Sequence, residues 1–178
     1  RPGEQFVVCL QNHDQIANAT QGARLAALVE ASRLRVGAAL LACSPTLPLL
    51  FQGEEWGTTT PFYYFVSHRD LGLIDAVRRG RRAEHEDFFA AEGGSRTGPA
   101  QEFADPADPA TFEACRLDWG EARGVENAQL LGLHKALFEL RRAHPSLGNC
   151  RRDLTRAMVD ETRRTLSLIR SDPDGETT

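Results

Sequence analysis

The chain has 178 residues, 41% hydrophobic and 26% charged, with a formal net charge of −4. That is ordinary globular composition with enough chain for a core, and it suits one domain or one with part of another. An acidic chain of pI ≈ 5.8 offers no electrostatic handle to nucleic acid or an anionic membrane, and neither partner is expected. The four cysteines, Cys9, Cys43, Cys115 and Cys150, form no CxxC pair, and Cys9 and Cys43 lie in apolar runs. A reduced, cytoplasmic protein is expected rather than a disulfide scaffold. No signal peptide precedes the first strand, and no apolar run reaches the ~18 residues of a membrane span. The first residue is Arg1, not Met, and the chain is expected to be a piece of a longer one.

Residues 6–10, FVVCL, read as a short strand buried on both faces. Residues 11–23 are polar and contain Gly22, which predicts a loop. Residues 23–29 add a helical turn or two. Ser32 is the expected N-cap of a helix reaching about Ala42. From Val36 to Cys43 that helix is apolar nearly all round, which predicts burial, and Pro45 stops it. Residues 47–51 form a second apolar strand ending in Gln52-Gly53-Glu54-Glu55-Trp56-Gly57. Strand, polar loop, helix, strand, polar loop is the order of an α/β protein with a parallel sheet.

Residues 58–72 are an aromatic loop, and residues 73–89 a strongly charged helix. Residues 92–111 hold Gly93, Gly94, Gly98, Pro99, Pro106 and Pro109, which predicts a long irregular loop. Residues 127–143 are the best-patterned helix, with Leu130, Leu133, Leu137 and Leu140 on one face and His144-Pro145 as its end. Residues 157–159 and 165–169 read as strands, and SDPDG at 171–175 as a hairpin turn whose second strand the chain does not reach.

Two successive strands thus deliver polar residues at their C-terminal ends: His13 and Asp14 after the first, Glu54 and Glu55 after the second. That is where α/β barrels and open α/β sheets place their chemistry. The wording is more specific than the pattern. QNHDQIAN, residues 11–18, resembles the fourth signature region of the α-amylase superfamily of glycoside hydrolases, which ends the seventh strand of a (β/α)8 barrel. SPTLPLLFQGEEWG, residues 44–57, resembles the eighth-strand segment that follows. GEEWGTTTPFYYFVSHRD, VRRGRRAEHEDF and DPADPATFEACRLDW narrow the resemblance to the superfamily's trehalose-releasing branch.

The resemblance implies an α/β fold: the C-terminal portion of a (β/α)8 TIM barrel over 1–145, strands seven and eight with their helices. The start of an antiparallel β-sandwich domain follows over 146–178. It implies retaining hydrolysis of the α-1,4 bond beside the trehalose end of maltooligosyl trehalose, with no cofactor. Such enzymes use a nucleophilic and an acid/base carboxylate about 5 Å apart. Asp14 matches a third carboxylate that holds sugar hydroxyls as the transition state forms, and His13 an imidazole bonded to the same sugar. Asn12 and Gln15 are the adjoining substrate-binding candidates. The nucleophile and the acid belong to strands four and five, outside this chain, so the chain alone is expected to be inactive. Ala17 and Ala19 stand where the family reads Gly and Arg, and Ser67 where an Asp is common.

Other candidates carry blander readings beside the functional ones. Glu54 and Glu55 shape the barrel mouth or contact a subsite. Trp56, Phe62, Tyr63, Tyr64 and Phe65 form a sugar platform or pack their own loop; Trp56 and Phe65 are the better ligand candidates. His68 contacts a second sugar or is a surface histidine. Arg24 reaches the site or is a solvated or ion-paired arginine. RRGRR at 78–82 is followed by Glu84, Glu86 and Asp87, a solvated face with local ion pairs rather than a nucleic-acid patch. His13, Asp14 and His68 match no metal-ligand spacing, and no metal is expected. Two further readings stay open: a glucan branching or debranching enzyme, and a non-catalytic module binding maltooligosaccharide.

Overall fold

A computed structural model describes residues 1–91, 104–175 and 177–178. Strand β1 (Val7–Val8) pairs in parallel with β2 (Leu47–Pro48), Val7 facing Leu47 and Val8 facing Pro48. Pro48 has no N–H to give. The ladder runs instead through Leu47 N–H to Phe6 O at 2.9 Å and Leu49 N–H to Val8 O at 2.8 Å. The parallel pairing agrees with the chain-order expectation, but the burial does not. Val7 is 64% and Leu47 42% exposed, because among the described residues no third strand joins the pair.

The polar stretch after β1 is a helix rather than a loop. Helix α1 (His13–Asn18) starts at Asn12, whose side chain accepts the Gln15 N–H at 3.2 Å while Gln15 Oε1 accepts the Asn12 N–H at 2.9 Å. This reciprocal cap supplies two bonds that a six-residue helix lacks. Ile16 is its single buried residue. After a turn at Thr20–Gly22 come α2 (Leu25–Leu28) and α3 (Ala31–Cys43). Glu30, not Ser32, is the N-cap of α3, and it makes no side-chain cap bond. Helix α3 ends one residue before Ser44-Pro45, as the proline demands. It is not buried all round: Ala38, Leu41 and Ala42 face inward, while Val36 is 59% exposed because no described element covers that side.

Helix α4 (Leu71–Ala91) follows the aromatic segment, and Asp70 Oδ1 accepts the Leu73 N–H at its start. Residues 92–103 of the expected long loop lie outside the described residues. Residues 104–108 lead into α5 (Pro109–Ala114), with Asp108 as its N-cap. Helix α6 (Val125–Ala143) packs on α3 and ends at His144, where α7 (Pro145–Gly148) begins. Its inner face is rotated from the expected leucine stripe: Leu130, His134 and Arg141 are buried, whereas Leu140 is exposed. The reason is polar. His134 Nδ1 donates to Leu130 O at 3.1 Å, and Arg141 donates to Ala42 O at 2.6 Å, Ser44 O at 2.8 Å and Thr46 O at 2.8 Å. The bonds from Arg141 to the end of α3 hold position 141 inside, and Leu140 beside it faces outward.

Strands β3 (Thr155–Asp160) and β4 (Thr165–Arg170) form the antiparallel hairpin that closes the chain. The strand mate after SDPDG does begin: Arg170 N–H donates to Thr178 O and Thr178 N–H to Arg170 O, both at 2.8 Å. Arg170, fully buried, reaches from the hairpin to Cys43 O at 2.7 Å and Asn149 O at 2.5 Å. Together Arg141 and Arg170 supply cations to the C-terminal end of α3, where the helix dipole is negative. All four cysteines are free thiols. No described helix is long and apolar enough to cross a membrane.

Candidate active-site segment

The parallel pair sends both strand ends toward the same side of the molecule. After β1, Gln11 is buried, and its side-chain oxygen accepts the Leu25 N–H at 3.0 Å. Asn12 and Gln15 then close the cap of α1, which commits the Asn12 oxygen and the Gln15 oxygen to backbone N–H groups. Between them His13 and Asp14 stand free of the fold. Their side chains are 65% and 76% exposed, and His13 Nε2 lies 3.1 Å from Asp14 Oδ1. An exposed imidazole beside an exposed carboxylate offers one donor–acceptor pair to a polyhydroxyl ligand.

After β2, Glu54–Trp56 make a single turn between Gly53 at φ +86° and Gly57 at φ +69°. Both glycines are required there. A Cβ on Gly53 would meet Thr58 Cγ2 at 2.5 Å, and one on Gly57 would meet Leu130 Cδ2 at 2.9 Å. That turn folds Glu54 inward. Glu54 is buried, and its Oε2 accepts the Phe51 N–H at 3.4 Å. Burial pushes its carboxyl above the ordinary range, opposed by the Phe51 N–H, the Gln11 side chain and Arg24, with Glu55 adding to the rise. Glu54 therefore supports the strand ends rather than facing ligand.

Arg24 is neither solvated nor at the site surface. It is fully buried, donating from Nε to Thr60 O at 2.5 Å and from Nη1 to Gln52 O at 2.7 Å, over the Phe51 ring at 5.0 Å. Burial lowers its pKa, and Cys115, Glu121, Glu54 and Glu55 oppose that. Its work is to tie the 52–60 segment to α2. Trp56 is likewise a core residue, 2% exposed, its ring tilted 41° against Trp119 at 5.0 Å, and its carbonyl accepts Asn127 Nδ2. A sugar ring cannot reach a face so covered.

Phe65 belongs to an edge-to-face chain running Phe51, Phe62, Phe65, Phe112, with centroids 5.2, 5.8 and 5.2 Å apart. It stays 36% exposed, so packing and a partial ligand face coexist there. His68 is exposed. The structure thus brings together His13 with Asp14 and Asn12 with Gln15. It buries Arg24, Glu54 and Trp56. Among the described residues no group of three or more His, Cys, Asp or Glu is placed to hold a metal ion.

Arg81 has a larger part than a solvated face predicts. Arg78 pairs with Asp75 and Asp105, as local ion pairing expects. Arg81 pairs with Glu84 but also reaches across to Ala17 O and Asn18 Oδ1. Nothing in RRGRR marks the one arginine that turns toward α1.

No family model matches the chain. A crystal structure of a Salmonella typhimurium protein assigned as an alpha amylase superposes with a TM-score of 0.79 at 33% identity, covering 99% of this chain and 28% of that one. The fold is therefore α/β and similar to a region of an alpha-amylase structure. The sequence relatives share one name. Malto-oligosyltrehalose trehalohydrolase of Brevibacterium helvolum is 44% identical over 146 residues, covering 81% of this chain and 23% of that protein. The Rhizobium sp. protein of the same name is 42% identical over 80% of this chain and 22% of its own length. The Mycobacterium tuberculosis (H37Rv) one is 33% identical over 95% of this chain and 28% of its own. This chain is a relative of the malto-oligosyltrehalose trehalohydrolases and spans about a quarter of their length.

Proposed function

We propose that the chain is the C-terminal part of a retaining α-glucan hydrolase that cleaves the α-1,4 bond beside the terminal trehalose of maltooligosyl trehalose. The observation that carries this is the exposed His13–Asp14 pair, set on a capped helix directly after a parallel strand. The likeness to trehalohydrolases gives that pair its substrate. Asp14 is the carboxylate that accepts sugar hydroxyls and opposes positive charge in the oxocarbenium-like transition state. His13 contacts the same sugar through its other ring nitrogen and is oriented by Asp14. Phe65 and His68 edge the ligand surface. A nucleophile and an acid/base must come from other residues of the complete protein, and the chemistry needs no cofactor.

The test is trehalose release from maltooligosyl trehalose by the product of the complete reading frame containing this chain. Asp14→Asn is expected to lower kcat by about 10²–10³-fold with a smaller change in KM, the pattern of a contact made chiefly in the transition state. The 178-residue chain alone is expected to show no turnover. Branching of amylose instead of trehalose release would overturn the substrate, and an Asp14→Asn variant of native kcat would overturn the role.

A further inference from the structure

We propose that Arg81 is a positioning residue for the His13–Asp14 pair, holding the C-terminal end of the helix that carries it. The inference deepens the sugar-contacting role proposed above and rests on it for its functional meaning. Helix α1 has six residues, far below the length at which a helix holds itself together in water. Its N-terminal end is held by the Asn12–Gln15 cap and its middle by buried Ile16. The Ala19 N–H serves the Gln15 and Ile16 carbonyls, and the Ala17 carbonyl lies beyond that bond.

Arg81 meets that need from α4, 63 and 64 positions away in sequence. Nη2 donates to Ala17 O at 2.8 Å, and Nη1 donates to Asn18 Oδ1 at 2.5 Å. A cation at a helix C-terminus is also favoured by the helix dipole. The guanidinium is itself fixed. Glu84 Oε2 takes Nη1 at 2.7 Å, and the plane lies 4.6 Å from the Tyr64 ring centroid. The side chain is only 21% exposed, so this is a seated arginine rather than a surface ion pair. Asn18 follows Asp14 by four residues and shares its helix face. A pull on Asn18 therefore sets the tilt of the face that presents Asp14.

Lysine keeps the charge but lacks the fork needed for two acceptors at once. Comparing Arg81→Lys with Arg81→Met in the full 178-residue chain thus separates positioning from charge. The readouts are residue-resolved amide exchange and the NMR signals of the Asp14 carboxylate and His13 ring. The Ala19 N–H, bonded to Gln15 O and Ile16 O, reports the end of α1. Arg81→Met is expected to speed its exchange about tenfold relative to the α6 amides and to shift both side-chain signals. Arg81→Lys is expected to fall between the two.

Equal acceleration in α1 and α6 would mean general stability, and native exchange with only a shifted Asp14 titration would mean charge alone. Either result overturns the proposal. Maltooligosyl trehalose calorimetry on Asp14→Asn, with Arg81 intact, tests the functional role separately. If that variant binds like the native chain while α1 loosens in Arg81→Met, the clasp stands and the sugar role falls.

Discussion

Arg141→Met removes one guanidinium from the inside of α6 and should be among the most damaging single changes in the chain. Arg141 is 8% exposed and donates to Ala42 O, Ser44 O and Thr46 O within 2.6–2.8 Å. Methionine keeps much of the stem's packing, so the loss is chiefly polar. A hydrogen bond to a charged group is worth about 1.5–3 kcal/mol net, and three such bonds give a gross figure of about 4.5–9 kcal/mol. Two effects reduce it. Desolvation of the buried cation is relieved. Arg170, which still donates to Cys43 O, also loses a like-charged neighbour whose field helps to lower its pKa after burial itself.

The expected net loss for Arg141→Met is about 3–4 kcal/mol, a large share of the roughly 5–15 kcal/mol typical of a folded domain. In urea, with a slope of about 2 kcal/mol/M, the midpoint should fall by about 1.5–2 M at unchanged slope. Arg141→Lys should lose about half as much, because an ammonium keeps the charge and donors but not the planar fork that spans these carbonyls. A loss below about 1 kcal/mol for Arg141→Met would refute the claim that this arginine joins α6 to the end of α3.

Three other outcomes are expected. Burial raises the Glu54 pKa, so its contribution to stability is complete below the unfolded value and is lost as pH rises through the folded one. Glu54→Gln should therefore gain stability relative to the native chain as pH rises above the ordinary carboxyl value near 4.5, seen in thermal melts; a constant difference would contradict this. The exposed Asp153 is held at about 2 chiefly by its hydrogen bonds from Arg151, so its stabilisation is present above the ordinary value near 3.8 and lost as pH falls through about 2. Carboxylate NMR on Arg151→Met should return Asp153 toward 3.8, and an unmoved titration would assign the shift elsewhere. Asn12→Ala should cost about 1 kcal/mol and loosen α1 selectively in amide exchange, since Ala cannot accept the Gln15 N–H.

Much of the candidate site was legible in residue order. Apolar runs ending at His13-Asp14 and at Glu54-Glu55 pointed to strand ends of a parallel sheet, and β1 and β2 do pair in parallel. The cap of α1 was missed: Asn12 followed three residues later by Gln15 is a cap signal, but polarity and Gly22 favoured a loop there. Arg24 and Trp56 were not legible. Arginine is ordinarily exposed, and only the carbonyls of Gln52 and Thr60, 28 and 36 residues away, make a place for one inside. Trp56 stays a ligand candidate until Trp119 is seen packed against it.

Sequence by itself determined what depends on neighbours along the chain. It placed the stop of α3 before Pro45, the end of α6 before Pro145, the turn at SDPDG, and the motif that relates the chain to α-amylase-type hydrolases. Those signals are local because a proline's missing N–H and fixed φ act on the residues beside it. Tertiary structure alone decided which charged residues go inside. Arg24, Arg141 and Arg170 are buried where carbonyl oxygens converge from segments 21 to 127 residues away in sequence. It also decided that Arg81, and not its neighbours, reaches α1. A guanidinium's environment is set by acceptors brought near it in space, and the sequence around it carries no trace of them.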